Sequence, residues 1–154
     1  MNRFKTGLDY CVMDKTSTQS FATATDTVVT WDRALSDQGG ITSIANDWIE
    51  FVTSGLYLVR AQVHWDGDAA TAAYYRYLTV HIDTGAGFSL FSAYSVVRST
   101  ISDVDSIHGA TFLTNRNVGD RIRVHVAQQS GSTDIVNTGQ NTFFSAYLLP
   151  NKLL

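Results

Sequence analysis

The stretch "GLYLVRAQVHW", Gly55–Trp65, decides the fold. Tyr57, Val59, Ala61, Val63 and Trp65 fall on one face of it, and Arg60, Gln62 and His64 on the other. Side chains of an extended chain point to opposite faces in turn, so this alternation predicts a β-strand with one face against a core. The neighbouring "HWDGD", His64–Asp68, gathers an imidazole and two carboxylates and invites a catalytic or metal reading. The strand register takes that site apart. Trp65 faces the core, His64 faces away, and Asp66-Gly67-Asp68 supplies the chemistry of a turn.

Working outward, the same period recurs. In "YLTVHID" Leu78, Val80 and Ile82 take the core side, opposite Tyr77, Thr79 and His81. In "DRIRVHVAQ" Ile122, Val124 and Val126 oppose Arg121, Arg123 and His125. Further strands are expected at Thr27–Leu35, Trp48–Val52, Phe88–Val97, Ser106–Asn115 and Asn141–Leu149. Turn-forming clusters separate them: "SDQGG", "DGDAA", "DTGAG", "NRNVGD" and "QQSGSTD". Apolar residues recur at helical spacing over no long window. The expected fold class is all-β, an antiparallel two-sheet sandwich of about 8–10 strands. Residues 1–23, patterned least, are expected to form an N-terminal arm that packs on a neighbour or a disordered tail, 24–150 the sandwich domain and 151–154 a tail.

At 154 residues the chain is one domain by size, with 44% hydrophobic and only 16% charged residues. So few charges suggest that part of the surface is covered by association. A net charge of −3 argues against nucleic acid as the main partner, because a phosphate footprint needs clustered cations and a pair such as Arg121 and Arg123 is not a patch. The single cysteine, Cys11, excludes an internal disulfide and a cysteine-built zinc site. No secretory segment or membrane span is recognisable, so synthesis in a cytoplasm without a membrane partner is expected.

Catalytic signatures are missing. There is no Gly-x-Ser-x-Gly elbow, no phosphate loop opening a helix, and Glu50 is the only glutamate. Carboxylates pair in sequence at Asp66 and Asp68 and at Asp103 and Asp105, which alone does not define a cleft. A calcium loop at "DGDAAT" lacks the ordered ligand spacing. The expectation is a non-enzyme without cofactor or assigned metal. The last strand, "NTFFSAYLLP", differs from the others in having two apolar faces, Phe143, Tyr147 and Leu149 on one and Phe144, Ala146 and Leu148 on the other. Tyr75 and Tyr77 share the non-core face of their strand with His81. Both features point to a subunit interface, although a covering loop of the same chain would also account for them.

Four ordered landmarks, "VTWDRALSDQGGI", "WIEFVTSGLYLVRAQV", "GDRIRVHV" and "NTFFSAYLLP", give the chain a resemblance. It resembles the trimeric jelly-roll superfamily of the complement subcomponent q globular head and tumour necrosis factor over roughly residues 24–150. Ile49, Gly55 and Tyr57 match the opening of the family's long strand, and Gly119-Asp120 matches the start of a late one. The resemblance implies a homotrimer whose inner sheet packs around a threefold axis. It places the segments at 73–83, 119–128 and 141–149 in that sheet, and Tyr75, Tyr77, His81, Arg123, His125, Phe143, Ser145 and Tyr147 at the interface. His81 and His125 would then approach the axis, where three copies could gather a metal ion or form a pH-sensitive contact.

The absence of a collagen-like stalk or secretion signal turns the functional expectation to a bacteriophage virion. The first reading is a capsid decoration or cement protein on the outer capsid surface, bridging subunits of the major capsid protein. Phe4, Leu8, Tyr10 and Phe21 would anchor its arm. The alternative is a receptor-binding fibre tip or carbohydrate-binding module for a cell-surface glycan, with Trp65 or Tyr94 stacking on sugar rings. Both steps are fold-level analogy.

Overall fold

The fold is seen in a computed structural model that describes residues 9–66, 74–99, 106–131, 133–139 and 141–150. The long strands stand where alternation places them: β7 (Gly55–Trp65), β8 (Tyr74–Asp83), β9 (Ser89–Ser99), β10 (Ser106–Arg116), β11 (Arg121–Gln128) and β13 (Phe143–Leu148). Shorter pieces complete the described set of thirteen: β1 (Tyr10–Asp14), β2 (Gln19–Phe21), β3 (Thr27–Val28), β4 (Arg33–Gln38), β5 (Thr42–Ser43), β6 (Trp48–Glu50) and β12 (Asp134–Val136). The excess over ten comes from these short pieces, which bends and crossovers cut from longer extended runs.

All pairings are antiparallel, in two sheets. One, called the first sheet below, runs β2-β12-β7-β13-β1-β4, with β10 also paired to β7. The second runs β5-β6-β11-β8-β9, with β3 also paired to β11. Between them lies one core. Cys11, Met13, Tyr57, Val59, Ala61, Val63, Trp65, Phe144 and Ala146 come from the first sheet, and Ile49, Leu78, Val80, Ile82, Ile122, Val124 and Val126 from the second. Aromatic contacts fix its layers, with Phe51 against Tyr57 at 4.5 Å, and Phe21–Trp65 and Trp31–Phe144 each at 5.7 Å.

Two sequence expectations are corrected here. The strand expected at Thr27–Leu35 is two strands in different sheets, because the chain crosses between layers at residues 29–32. Val29 and Trp31 are buried in that crossing, where the Trp31 backbone N–H donates to Asp47 Oδ1 at 2.8 Å. The second correction concerns the N-terminal arm. From residue 9 onward that segment is part of the sandwich: β1 lies between β13 and β4, and Phe21 is a core residue. Tyr10 and Phe21 therefore pack within the chain's own fold and are not an external anchor; Phe4 and Leu8 lie outside the described residues.

Lys15 pins the crossing from below. Its fully buried ammonium donates to Thr30 O (2.7 Å), to Thr30 Oγ1 (3.2 Å) and to Gln19 Oε1 (3.5 Å), 4.0 Å from Asp32. Burial lowers its pKa, opposed by the charges of Asp32 and Asp47. Asp32 Oδ2 in turn accepts from Thr16 N, Ser17 N and Ser17 Oγ at 2.8–2.9 Å.

Candidate functional site

The outward face of the first sheet carries an apolar row. Register places Leu113 opposite Leu58, Leu58 opposite Tyr147, and Tyr147 opposite Tyr10, so the row crosses β10, β7, β13 and β1. Leu113 is 58% exposed, and the Tyr10 and Tyr147 rings stack at 5.8 Å and 3°. The next row alternates in chemistry, Thr111, Arg60, Ser145 and Val12, and beyond it the Arg60 guanidinium lies 5.4 Å over the Phe143 ring. At the β4 side Arg33 forms a two-pronged ion pair with Asp14. Exposed Ile107, opposite His64, lies on the same face.

The outward face of the second sheet is organised around a different cluster. His81 on β8 pairs with Arg123 on β11, which sets His125 diagonally across from His81. Their rings stack at 3.7 Å and 10°. Asp26, just before β3, reaches over both: its Oδ2 lies 2.9 Å from His125 Nδ1 and 3.5 Å from His81 Nε2. Because a carboxylate only accepts, the short contact puts the His125 proton on Nδ1. His125 Nε2 is then a buried acceptor with no hydrogen-bond partner among the described residues. Thr79 Oγ1 is 3.3 Å from His81 Nε2.

Burial lowers the His125 pKa to about 4, helped by the neighbouring His81 and opposed by Asp26. His81 is lowered as well, by burial first and then by the Arg123 charge, again against Asp26. Both imidazoles are therefore neutral near pH 7. Around them an aromatic belt holds the cations: Arg123 lies 3.9 Å over Phe88, and Arg121 lies 5.0 Å over Trp48 while pairing with Glu50 (3.1 Å) and Asp83 (3.6 Å).

The eight residues expected at one interface are thus divided. Phe143, Ser145 and Tyr147 belong to the first sheet, whereas Tyr75, Tyr77, His81, Arg123 and His125 belong to the second. Two outward faces of a sandwich point away from each other, so the set cannot line one axis. The grouping of 141–149 with 73–83 and 119–128 is corrected accordingly: β13 pairs with β1 and β7 and never with β8 or β11. His125 and Ser145 are also buried within the single chain. Leu58, Leu113 and Tyr10 complete the apolar row without having been assigned to an interface from sequence. The strand alternation puts Leu58 on the polar face with Arg60, the signal that could have found it.

Of the aromatics considered for sugar stacking, Trp65 is fully buried in the core and offers no platform, and the Tyr94 side chain lies outside the described set. The "DGDAAT" segment lies outside it too, apart from Asp66, whose carbonyl accepts from Arg76 at 2.6 Å. Among the described residues no helix is long and apolar enough to cross a membrane.

No protein-family model matches the chain, and no curated protein matches it. Its architecture does match solved structures. Murine APRIL at pH 5.0 superposes with a TM-score of 0.70 at 16% identity, over 93% of this chain and 100% of that one. An Eiger TNF from S. frugiperda gives 0.65 at 12%, over 93% of each chain. The globular domain of a zebrafish complement 1qA protein gives 0.63 at 13%, over 92% and 98%. Identities this low show fold alone. The chain is an all-β, antiparallel two-sheet jelly-roll sandwich of the tumour-necrosis-factor and complement-head type.

Proposed function

We propose that this chain is a non-catalytic binding and assembly module that works as a homotrimer, with the outward face of the first sheet turned toward its neighbours. The observation that carries this reading is the row Leu113–Leu58–Tyr147–Tyr10, aligned in register across four strands. Aromatic and aliphatic side chains gathered this way gain by leaving water, at roughly 25 cal/mol per Å² of apolar area. Cyclic closure lets a head-to-tail contact of this kind stop at a ring and not grow into a filament. Phe143 and Tyr147 remain in the proposed interface, whereas Ser145, already buried within the single chain, does not contribute to it. Tyr75, Tyr77, His81, Arg123 and His125 leave it.

The finer proposal is a trimer that decorates the outer surface of a virion shell, bridging subunits of the major capsid protein. Its support is compositional: few charges, no catalytic signature and no nucleic-acid footprint. Sedimentation equilibrium tests the assembly. The wild type should have the mass of three chains, Leu58→Arg should sediment as a folded monomer, and Tyr77→Arg should leave the trimer intact. A monomeric wild type, or a trimer that survives Leu58→Arg and is lost with Tyr77→Arg, defeats this face. Saturable binding to empty capsids with a raised shell melting temperature supports decoration, whereas glycan-array hits without capsid binding favour the fibre-tip reading.

A further inference from the structure

The Asp26–His81–His125 cluster lies on the sheet opposite the proposed assembly face, and nothing in that assembly uses it. We propose that it is a binding site for a single divalent transition ion of the zinc class, with His81 Nε2, His125 Nδ1 and Asp26 Oδ2 as the three protein donors.

Three observations carry this. The donor atoms all lie within 4.8 Å of one another, and the two separations to Asp26 are 2.9 and 3.5 Å. Ligands about 2.0–2.1 Å from a tetrahedral zinc are separated by roughly 3.3 Å, so the measured pair brackets that spacing. The donors also stand on paired strands, β8 and β11, and on the segment entering β3, which pairs β11 at His125–Val28. Elements fixed by sheet hydrogen bonds hold a site more closely than loops do. The third observation is chemical. Two imidazoles and a carboxylate form a donor set suited to zinc, cobalt and nickel, and ligation through His125 Nδ1 moves that ring's proton to Nε2, which has no hydrogen-bond partner among the described residues.

The local charge permits a cation. Arg123 opposes one, but its guanidinium is drawn onto Phe88 at 3.9 Å and is offset by the carboxylates of Asp26 and Asp83. Asp26 is about half exposed and lies at the solvent edge of the stack, which leaves a path for the ion and a position for water as a fourth ligand. Binding requires the stacked rings to part at their donor edges. His81 is less enclosed than His125, 14% against 8% exposed at the side chain, and is the ring with room to turn.

The test uses untagged protein stripped with a chelator and titrated with ZnCl2 by calorimetry, and with CoCl2 while its d–d absorption is followed. One ion per chain is expected, with a cobalt spectrum typical of low-coordinate nitrogen and oxygen ligation. Asp26→Asn and His81→Gln, both at partly exposed positions, should each weaken zinc binding by at least about tenfold while the far-UV circular dichroism is unchanged. If the stripped wild type takes up neither ion, or if either variant binds within tenfold of it, the site as drawn is wrong. Leu58→Arg serves as the control. It should bind the ion as the wild type does, so failure of the assembly reading and failure of the ion site are read separately.

Discussion

Acid should destabilise this protein through His125. The imidazole is 6% exposed, and burial with the adjacent His81 lowers its pKa to about 4 from an ordinary 6.5. Between those values the unfolded chain binds a proton that the folded chain refuses, so unfolding is favoured as pH falls. The stabilisation is complete above about pH 6.5, declines as pH drops toward 4, and levels off below it. A gap of this size corresponds to about 3 kcal/mol at one buried site, a large share of the 5–15 kcal/mol that hold a typical domain together. The perturbation is His125→Gln, which keeps an amide to face Asp26 and removes the titration. The assay is urea unfolding between pH 4 and 7.5, with a chelator present and protein concentration held fixed. The wild type should lose stability steeply across this window, and the variant should lose markedly less. Parallel slopes for the two proteins would refute the reasoning, because the acid sensitivity would then belong to other groups.

Further outcomes follow from the packing. Phe144→Ala removes a fully buried ring that packs on Trp31 at 5.7 Å and should cost about 3–5 kcal/mol by chemical denaturation. Gly39 has φ +110°, and an added Cβ would stand 2.8 Å from Asp9 Oδ1, so Gly39→Ala should destabilise by about 1–3 kcal/mol, read as a lowered thermal midpoint. Cys11 is buried and its pKa is pushed up to about 12, chiefly by burial, so a thiol reagent should label native protein only at the rate of unfolding and denatured protein at once.

Alternation made the long strands readable. In β7, β8 and β11 the odd–even choice in the sequence matches the burial of Val59, Val80 and Val124 against the outward Arg60, His81 and Arg123, whereas His125, on the outward side of β11, is buried. Sheet membership was not readable in the same way, because a strand of one sheet alternates like a strand of the other. The resemblance alone groups β13 with β8 and β11, and nothing in its alternation corrects that grouping. The crossing at 29–32 was hidden because Val29 and Trp31 continue an extended pattern while the backbone changes layers. The histidine cluster depends on register and on a distant partner. His81 meets His125 only because Arg123 is its direct opposite, and Asp26 arrives from 99 residues before His125. "YCVMD" is too short for its period to reveal a strand, yet it lies inside the first sheet.

The place of β13 has a consequence for how the molecule is made. The last described strand fits between β7 and β1, in the middle of its sheet and not at an edge. Until residues 143–148 leave the ribosome, β1 and β7 each present an unsatisfied row of backbone donors and acceptors and have no direct contact. Insertion of this strand closes pairs separated by most of the described chain, such as Tyr10 with Tyr147, and long-range closure is slow. During that delay two complementary half-sheets stand open, and a strand lent by another copy would fit the gap as well as the chain's own. Truncating the chain before Phe143 would split the sheet down its centre.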